Sequence, residues 1–193
     1  MTFKSGLQTV IDNQDKLKQA LDVLRTTKLM VGIPEENAGR KDGPASNAVI
    51  GYVMENGDAS HNIPPRPFLH PGVEKEKALI EEQLKEAGKA ALEGNAQRVL
   101  TIFRRLGFDL VKSVKGVITA QDFIPLAPST VEQRLAKLGR KATKELKADR
   151  LSGAVTDEQI AAGQTDYIKI LQDTNSMFNA ITWVLRRFGR DIG

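Results

Sequence analysis

A long helical pattern of apolar residues in the middle of the chain constrains its fold most strongly. Apolar side chains recur at helical spacing from Leu84 to Val117, and Gly94 falls near the middle of this pattern. Because glycine weakens a helix relative to alanine, the pattern predicts two helices, 73–92 and 95–119, that break or bend near Gly94. The second helix is predicted to be the core helix. The apolar positions are Leu84, Ala87, Ala91, Val99, Ile102, Leu106, Leu110, Val114 and Val117.

Shorter patterns predict three further helices. Residues 7–24 have the spacing of a helix that buries one face, and residues 47–55 and 131–138 are bounded by capping and stop signals. The boundaries are Ser46 and Gly57 for the second of these helices, and Ser129 or Thr130 and Gly139 for the third.

Three short runs predict strands. The apolar run 28–33 is closed by Pro34, and the runs 167–171 and 180–186 are rich in β-branched and aromatic residues. Together with the helices they predict an α+β fold, in which a small antiparallel sheet packs against one long helix and shorter helices.

Proline-rich connectors and loops complete the predicted fold. Four prolines fall within nine residues at 63–71, and a second proline-bounded stretch covers 123–128. Because each proline fixes its own φ and restricts the residue before it, both stretches are predicted to be stiff and extended. We expect a single domain over 1–193, with a flexible loop at 35–46 and an insertion or arm at 140–166.

Composition excludes several classes of function. The chain has no cysteine, which excludes disulfides, thiol catalysis and thiolate metal sites. Aromatic residues make up 5%, too few for a large base-stacking platform. The N-terminal stretch lacks the apolar run of a secretory signal, and no segment has transmembrane length. The net charge of +4 favours polyanions only weakly.

No pattern in the sequence predicts a catalytic, metal or cofactor site. His61 and His70 lack the helical spacing that sets two imidazoles on one metal. No serine lies in a recognisable nucleophile motif, and the loop 39–43 lacks the ending of a nucleotide-binding loop. The sequence therefore predicts no enzyme and no cofactor.

A dense basic run offers candidate contacts to DNA or to an acidic partner. Such clusters bind phosphates, pair with acidic subunits or keep a protein soluble, and the sequence leaves these alternatives open. The residues are Arg134, Lys137, Arg140, Lys141, Lys144, Lys147 and Arg150.

Several phrases, taken in order, resemble the phage virion-morphogenesis family over most of the chain. Asn175 stands where that family usually has glycine, and asparagine is the next best residue for a left-handed turn. The phrases are Val31-Gly32-Ile33-Pro34; Asn47-Ala48-Val49-Ile50 with Glu55-Asn56-Gly57; Ile63-Pro64-Pro65-Arg66-Pro67-Phe68-Leu69; Pro125-Leu126-Ala127-Pro128-Ser129-Thr130 with Arg134; and Leu171-Gln172-Asp173-Thr174 with Ala180-Ile181-Thr182-Trp183.

The resemblance implies a neck, tail-completion or head-tail connector protein of a tailed bacteriophage. Its partners would be further copies of itself in a ring, the adjoining neck, connector or tail proteins and, non-specifically, packaged DNA, without a membrane. Its location would be the virion, and the host cytoplasm during assembly. The competing interpretations are a DNA-binding protein that uses the basic run 134–150 and, last in rank, a hydrolase with an unrecognised site.

The stiff connector suggests a subunit interface formed by Pro64, Pro65, Arg66, Pro67 and Phe68, since rigid segments lose little entropy on docking. In this hypothesis Arg66 and Phe68 are the anchors, because arginine and aromatic residues often dominate interfaces. The alternative is that Phe68 belongs to the chain's own core and Arg66 binds a local carbonyl.

Overall fold

The computed structural model describes residues 7–39 and 44–192, with side chains from residue 14 onward. Its elements are α1 (Leu7–Thr26), β1 (Thr27–Gly32), α2 (Asn47–Asn56), α3 (Leu69–Glu74), α4 (Lys77–Leu92), α5 (Ala96–Ala120), α6 (Pro128–Leu135), α7 (Arg140–Ser152), α8 (Asp157–Ala161), α9 (Ser176–Ala180), β2 (Thr182–Arg187) and β3 (Arg190–Asp191), with 3-10 turns at Glu35–Asn37 and Ala59–His61. The predicted α+β class is confirmed.

The small sheet is antiparallel, in the order β1-β2-β3. β1 and β2 pair along their whole length, with Leu29 opposite Leu185 and Val31 opposite Trp183. β2 and β3 form a hairpin whose two turn residues, Phe188 and Gly189, both have positive φ. Positive φ at both positions is the requirement of a turn that matches the twist of the strands.

Contacts within the chain cluster into two compact units. Of the described residues, the first contains 7–32, 73–112 and 182–192, and the second contains 33–39, 44–72 and 113–181. α5 contributes its N-terminal part to the first unit and its C-terminal part to the second.

The first unit has an apolar core of small and medium-sized side chains. α1 packs on α4, and Leu185 of the sheet is fully buried against the same cluster. Gly107 of α5 allows a close approach to β2, because a Cβ there would lie 2.6 Å from Trp183 Cδ2. The buried residues of this core are Ala20, Val23, Ala87, Ala90, Ala91, Val99, Phe103 and Leu185.

The second unit joins short helices by extended segments. α2 begins and ends where the sequence predicts: the Ser46 side chain accepts a hydrogen bond from the Val49 amide, and Gly57 ends the helix. The predicted left-handed turn at Asn175 is also present, with φ 57°.

Two local predictions are wrong in detail. Residues 167–171 form no strand, because the Gln121 side chain bonds both backbone groups of Ile170 and takes the place of a neighbouring strand. α6 begins earlier than predicted, with Pro128 in its first turn and Ala127 at the N-cap in place of Ser129 or Thr130. Proline suits that position because the first-turn amides have no helical acceptor.

The two segments predicted as mobile contain ordered elements. The stretch 140–166 holds α7 and α8, and α8 starts with a capping box between Thr156 and Gln159. The loop 35–46 holds a 3-10 turn, and its residues 40–43 lie outside the described residues. Their mobility stays a prediction.

Candidate functional site

The carboxylate of Glu55 helps to fix the proline connector 63–68 to α2. Glu55 Oε2 accepts hydrogen bonds from the amides of Phe68 (2.7 Å) and Leu69 (2.8 Å), and Oε1 accepts from the amide of His70 (2.9 Å). These amides begin α3 and have no acceptor within it, so a negative group is favourable there. Gly57, at the end of α2, is needed for the close approach of the connector, since a Cβ at this position would lie 2.9 Å from the Ile63 carbonyl oxygen.

Arg66 and Phe68 lie where the alternative to the anchor hypothesis predicts, with Phe68 in the chain's own core and Arg66 bound to local carbonyls. Phe68 is 3% exposed and packs near Gly51 of α2, and Arg66 is 6% exposed. Both side chains are therefore mostly buried within the fold of the chain, where Phe68 packs in the core and Arg66 binds local carbonyls. An interface through the neighbouring prolines, of which Pro65 and Pro67 are exposed, stays a prediction.

Arg66 joins the two proline-bounded connectors. Its Nε donates to the Ile124 carbonyl (2.9 Å) and its Nη2 to the Pro125 carbonyl (3.1 Å). Burial lowers the pKa of the Arg66 guanidinium, and the nearby positive charge of Arg134 lowers it further. A buried guanidinium needs such partners, because a charge without them costs several kcal/mol to bury.

Arg134 joins α6 to the turn before α9. Its Nη1 donates to the Lys169 carbonyl (2.8 Å), and its Nε lies 3.8 Å from a carboxylate oxygen of Asp173. Burial lowers the pKa of Arg134, while Asp173 opposes this effect. Lys137 binds the other oxygen of Asp173 at 3.3 Å. The first two residues of the predicted basic run are thus held in place by internal contacts.

A cavity of about 530 Å³ lies where these contacts meet. It is lined by residues of 50–66, 125–134 and 170–177, which come from α2, both connectors, α6 and the segment that leads into α9. Its charged lining residues are Arg66, Arg134 and Asp173, and most of its other side chains are apolar. A concave, mainly apolar site with a few charged groups is the usual form of a ligand-binding pocket.

The other predicted basic residues lie on α7 and are exposed. Lys141 pairs with Glu145 at 3.9 Å, and Arg150 pairs with Asp157 at 2.7 Å. Within the described ranges, Arg140, Lys144 and Lys147 form no ion pair. The structure therefore divides the predicted run into an internal part, 134–137, and an exposed part on α7.

Three of the phrases that resemble the virion-morphogenesis family meet around the cavity. Arg66 belongs to the phrase 63–69, Pro125 and Arg134 belong to the phrase 125–130 with Arg134, and Asp173 belongs to the phrase 171–174. They are far apart along the chain, yet hydrogen bonds and ion pairs connect them. Several of the positions that carry the resemblance thus line one cavity.

Sequence reasoning missed the role of three residues at or beside this site. Glu55 and Asp173 lie within the resemblance phrases but were not singled out, and a carboxylate just before a turn was the available signal. Gln121 is 7% exposed and carries no such signal, because its partner Ile170 is distant in sequence.

Metal and membrane features are absent from the part of the chain that the structure describes. No group of three or more His, Cys, Asp or Glu residues in 7–39 and 44–192 is placed to hold a metal ion. His61 instead pairs with Asp58 at 2.6 Å. Across the same described residues, no helix combines the length and hydropathy required to cross a bilayer.

Comparison of the chain with known protein families, with characterised proteins and with solved structures finds no match.

Proposed function

We propose that this chain is a structural protein of a tailed-phage virion, which forms a ring at the neck and completes the tail or joins it to the head. In this function the subunit acts by its shape and its contacts and needs no catalytic group. Its partners are other copies of the chain and the adjoining neck, connector or tail proteins around the DNA channel.

The convergence of the resemblance phrases around one cavity is the observation that supports this proposal. A chance similarity of short phrases gives no reason for Arg66 to bond Pro125, for Arg134 to pair with Asp173, or for these residues to line one cavity. Residues that form a common site are expected to be kept together in a family, because each loses its role without the others. The contacts between residues of different phrases therefore support the resemblance more than any single phrase does.

The second unit has the properties that a connector subunit requires. Glu55 and Arg66 fix the two proline connectors by side-chain hydrogen bonds to backbone groups. A rigid subunit loses less conformational entropy when it joins a ring than a flexible one does. Exposed Pro65 and Pro67 remain on the surface for contacts with a neighbour.

The test is assembly with the particles of the phage that encodes the chain. The mass of the purified protein is measured alone and after mixing with tailless capsids and isolated tails, and joined particles are counted by electron microscopy. We expect a ring, or a monomer recruited to the joint in a fixed number of copies. A monomer that ignores both particles would contradict the proposal.

The exposed part of the basic run keeps a DNA-binding function as the second candidate. Arg140, Lys144 and Lys147 lie on α7 without ion-pair partners among the described residues. If they bind DNA, replacing all three by glutamine lowers the affinity and flattens its dependence on salt, because fewer counterions are released. A mobility-shift titration at several salt concentrations measures both quantities. The same triple change leaves particle joining intact if α7 has no role in assembly.

A further inference from the structure

The cavity combines apolar walls with hydrogen-bond donors that the chain itself does not use. Arg66 donates through Nε and Nη2, and Arg134 donates through Nη1. Among the described residues, Arg66 Nη1 and Arg134 Nη2 have no acceptor. A guanidinium offers five N–H donors in a fixed plane, so both side chains retain the capacity to bind a further acceptor.

The charge at the cavity is positive. Two guanidinium groups line it against one carboxylate, Asp173, and Lys137 also binds that carboxylate. The lowered pKa values of Arg66 and Arg134 arise first from burial and, for Arg66, also from repulsion by Arg134. An incoming anion would compensate for both effects.

We propose that this cavity binds an extended peptide segment of another protein that places a carboxylate beside a large apolar side chain. The carboxylate contacts Arg134 and Arg66, and the apolar side chain packs against Ile50, Met54 and Leu126. The inference rests on the proposed function only for the source of the segment, which is then an adjoining virion protein.

A peptide fits these features better than a nucleic acid does. Among the residues that the structure describes, no aromatic side chain lines the cavity, so bases have no ring to stack on there. Asp173 repels the closely spaced charges of a phosphate backbone, whereas one carboxylate can avoid it. The cavity volume of about 530 Å³ is suited to one or two side chains rather than to a strand of nucleotides.

The experiment is calorimetric titration of the full chain with acetyl-Leu-Glu-Leu-amide and with the same peptide carrying glutamine in place of glutamate. We expect the glutamate peptide to bind about tenfold more tightly, because one charged hydrogen bond is lost in the glutamine peptide. Equal affinity for the two peptides would overturn the proposal. So would displacement of the glutamate peptide by oligothymidylate at a comparable concentration.

Variants assign the binding to the cavity. Arg134→Gln is expected to weaken binding about tenfold, and Asp173→Asn to tighten it severalfold because a competing carboxylate is removed. Thr130→Phe narrows the cavity and should abolish binding, whereas Ser129→Phe, its neighbour outside the lining, should leave it unchanged. If Arg134→Gln does not fold, Asp173→Asn and the phenylalanine pair decide the result. Binding that none of the folded cavity variants alters would overturn the assignment.

These titrations use the purified chain and no phage particle, so the two proposals fail separately. Loss of particle joining with intact peptide selectivity would contradict the ring function alone. Normal particle joining without peptide selectivity would contradict the cavity assignment alone.

Discussion

The two compact units differ in the interactions that stabilise each of them internally. The first unit relies on apolar contact between regular elements, with Ala20, Ala87 and Ala91 fully buried between helices and Leu185 buried from the sheet. The second unit also has buried apolar residues, including Ile118, Ile160 and Ile181. In addition it relies on side chains that bond distant backbone groups, as Glu55, Arg66 and Gln121 do. The residues with described side chains include five that are buried and polar or charged, and four of these lie in the second unit: Asn47, Arg66, Gln121 and Thr165.

This difference shows how each unit compensates for its backbone. Helices and strands satisfy most of their own backbone groups, so the first unit depends mainly on apolar burial between its elements. Extended segments such as 63–68 and 123–127 have no such internal bonds. Some of the missing partners are backbone groups of other segments, such as the Met54 carbonyl for the Arg66 amide. Side chains supply others, which makes the second unit depend on a few long-range hydrogen bonds.

Gln121→Leu tests that dependence and should have the largest effect. Leucine keeps the approximate size of the side chain but leaves the N–H and C=O groups of Ile170 without their partner. We expect the free energy of unfolding to fall by about 3 kcal/mol, because buried backbone groups without partners each cost about 1–3 kcal/mol. Urea unfolding measures the loss, and Gln97→Leu on the exposed face of α5 is the control. Equal stability of the two variants would contradict the role of Gln121.

Gly107→Ala tests the close packing of the first unit. A Cβ at this position would lie 2.6 Å from Trp183, so the helix or the indole must shift. We expect a net loss of about 2 kcal/mol, because overpacking costs more than the helix gains from alanine. The emission of Trp183, the single tryptophan, should change as well. Gly88→Ala on α4, where a Cβ meets nothing within 4 Å, should be neutral or stabilising.

The elements that the sequence predicts are those with local signals. The cap at Ser46 and the stop at Gly57 define α2, the apolar period defines α5, and the turn residue Asn175 defines its own backbone conformation. Each signal lies within a few residues of the structure that it specifies. α8 also had a local signal, the Thr156 and Gln159 capping box, which the sequence interpretation overlooked.

The features that could not be predicted depend on contacts between distant residues. The run 167–171 has strand-like composition, but Gln121, which no sequence pattern connects with it, bonds Ile170 and replaces the strand pairing. Arg66 and Phe68 have the composition of an interface anchor, yet the carbonyls of 124 and 125 and the α2 helix bury them inside the chain. Residue types alone do not distinguish a core position from an interface, since both favour large side chains.

Glu55→Gln tests how much of the second unit's stability comes from one charged acceptor. Glutamine keeps one oxygen that can accept from the amides of Phe68 and Leu69. Its other terminal group is an NH₂ that cannot accept, and the side chain carries no negative charge at the start of α3. We expect a loss of about 1 kcal/mol, because bonds to a neutral acceptor are weaker than bonds to a carboxylate. Thermal unfolding beside Glu82→Gln, an exposed α4 residue, measures the difference. A loss as large as that of Gln121→Leu would mean that glutamine cannot replace the carboxylate at all.

The smallest expected effect is a titration confined to the second unit. The Tyr167 hydroxyl donates to Asp149 Oδ2, and this bond raises the pKa of Tyr167 to about 12. A raised pKa means that the bond stabilises the fold below pH 10, the ordinary value, and that this contribution is lost as the pH rises through 12. In Tyr52→Phe, where Tyr167 is the one remaining tyrosine, the absorbance at the tyrosinate band should rise with a midpoint near pH 12. Adding Asp149→Asn removes the negative acceptor and should move the midpoint toward pH 10. A midpoint already near pH 10 in Tyr52→Phe alone would show that the bond to Asp149 does not persist in solution.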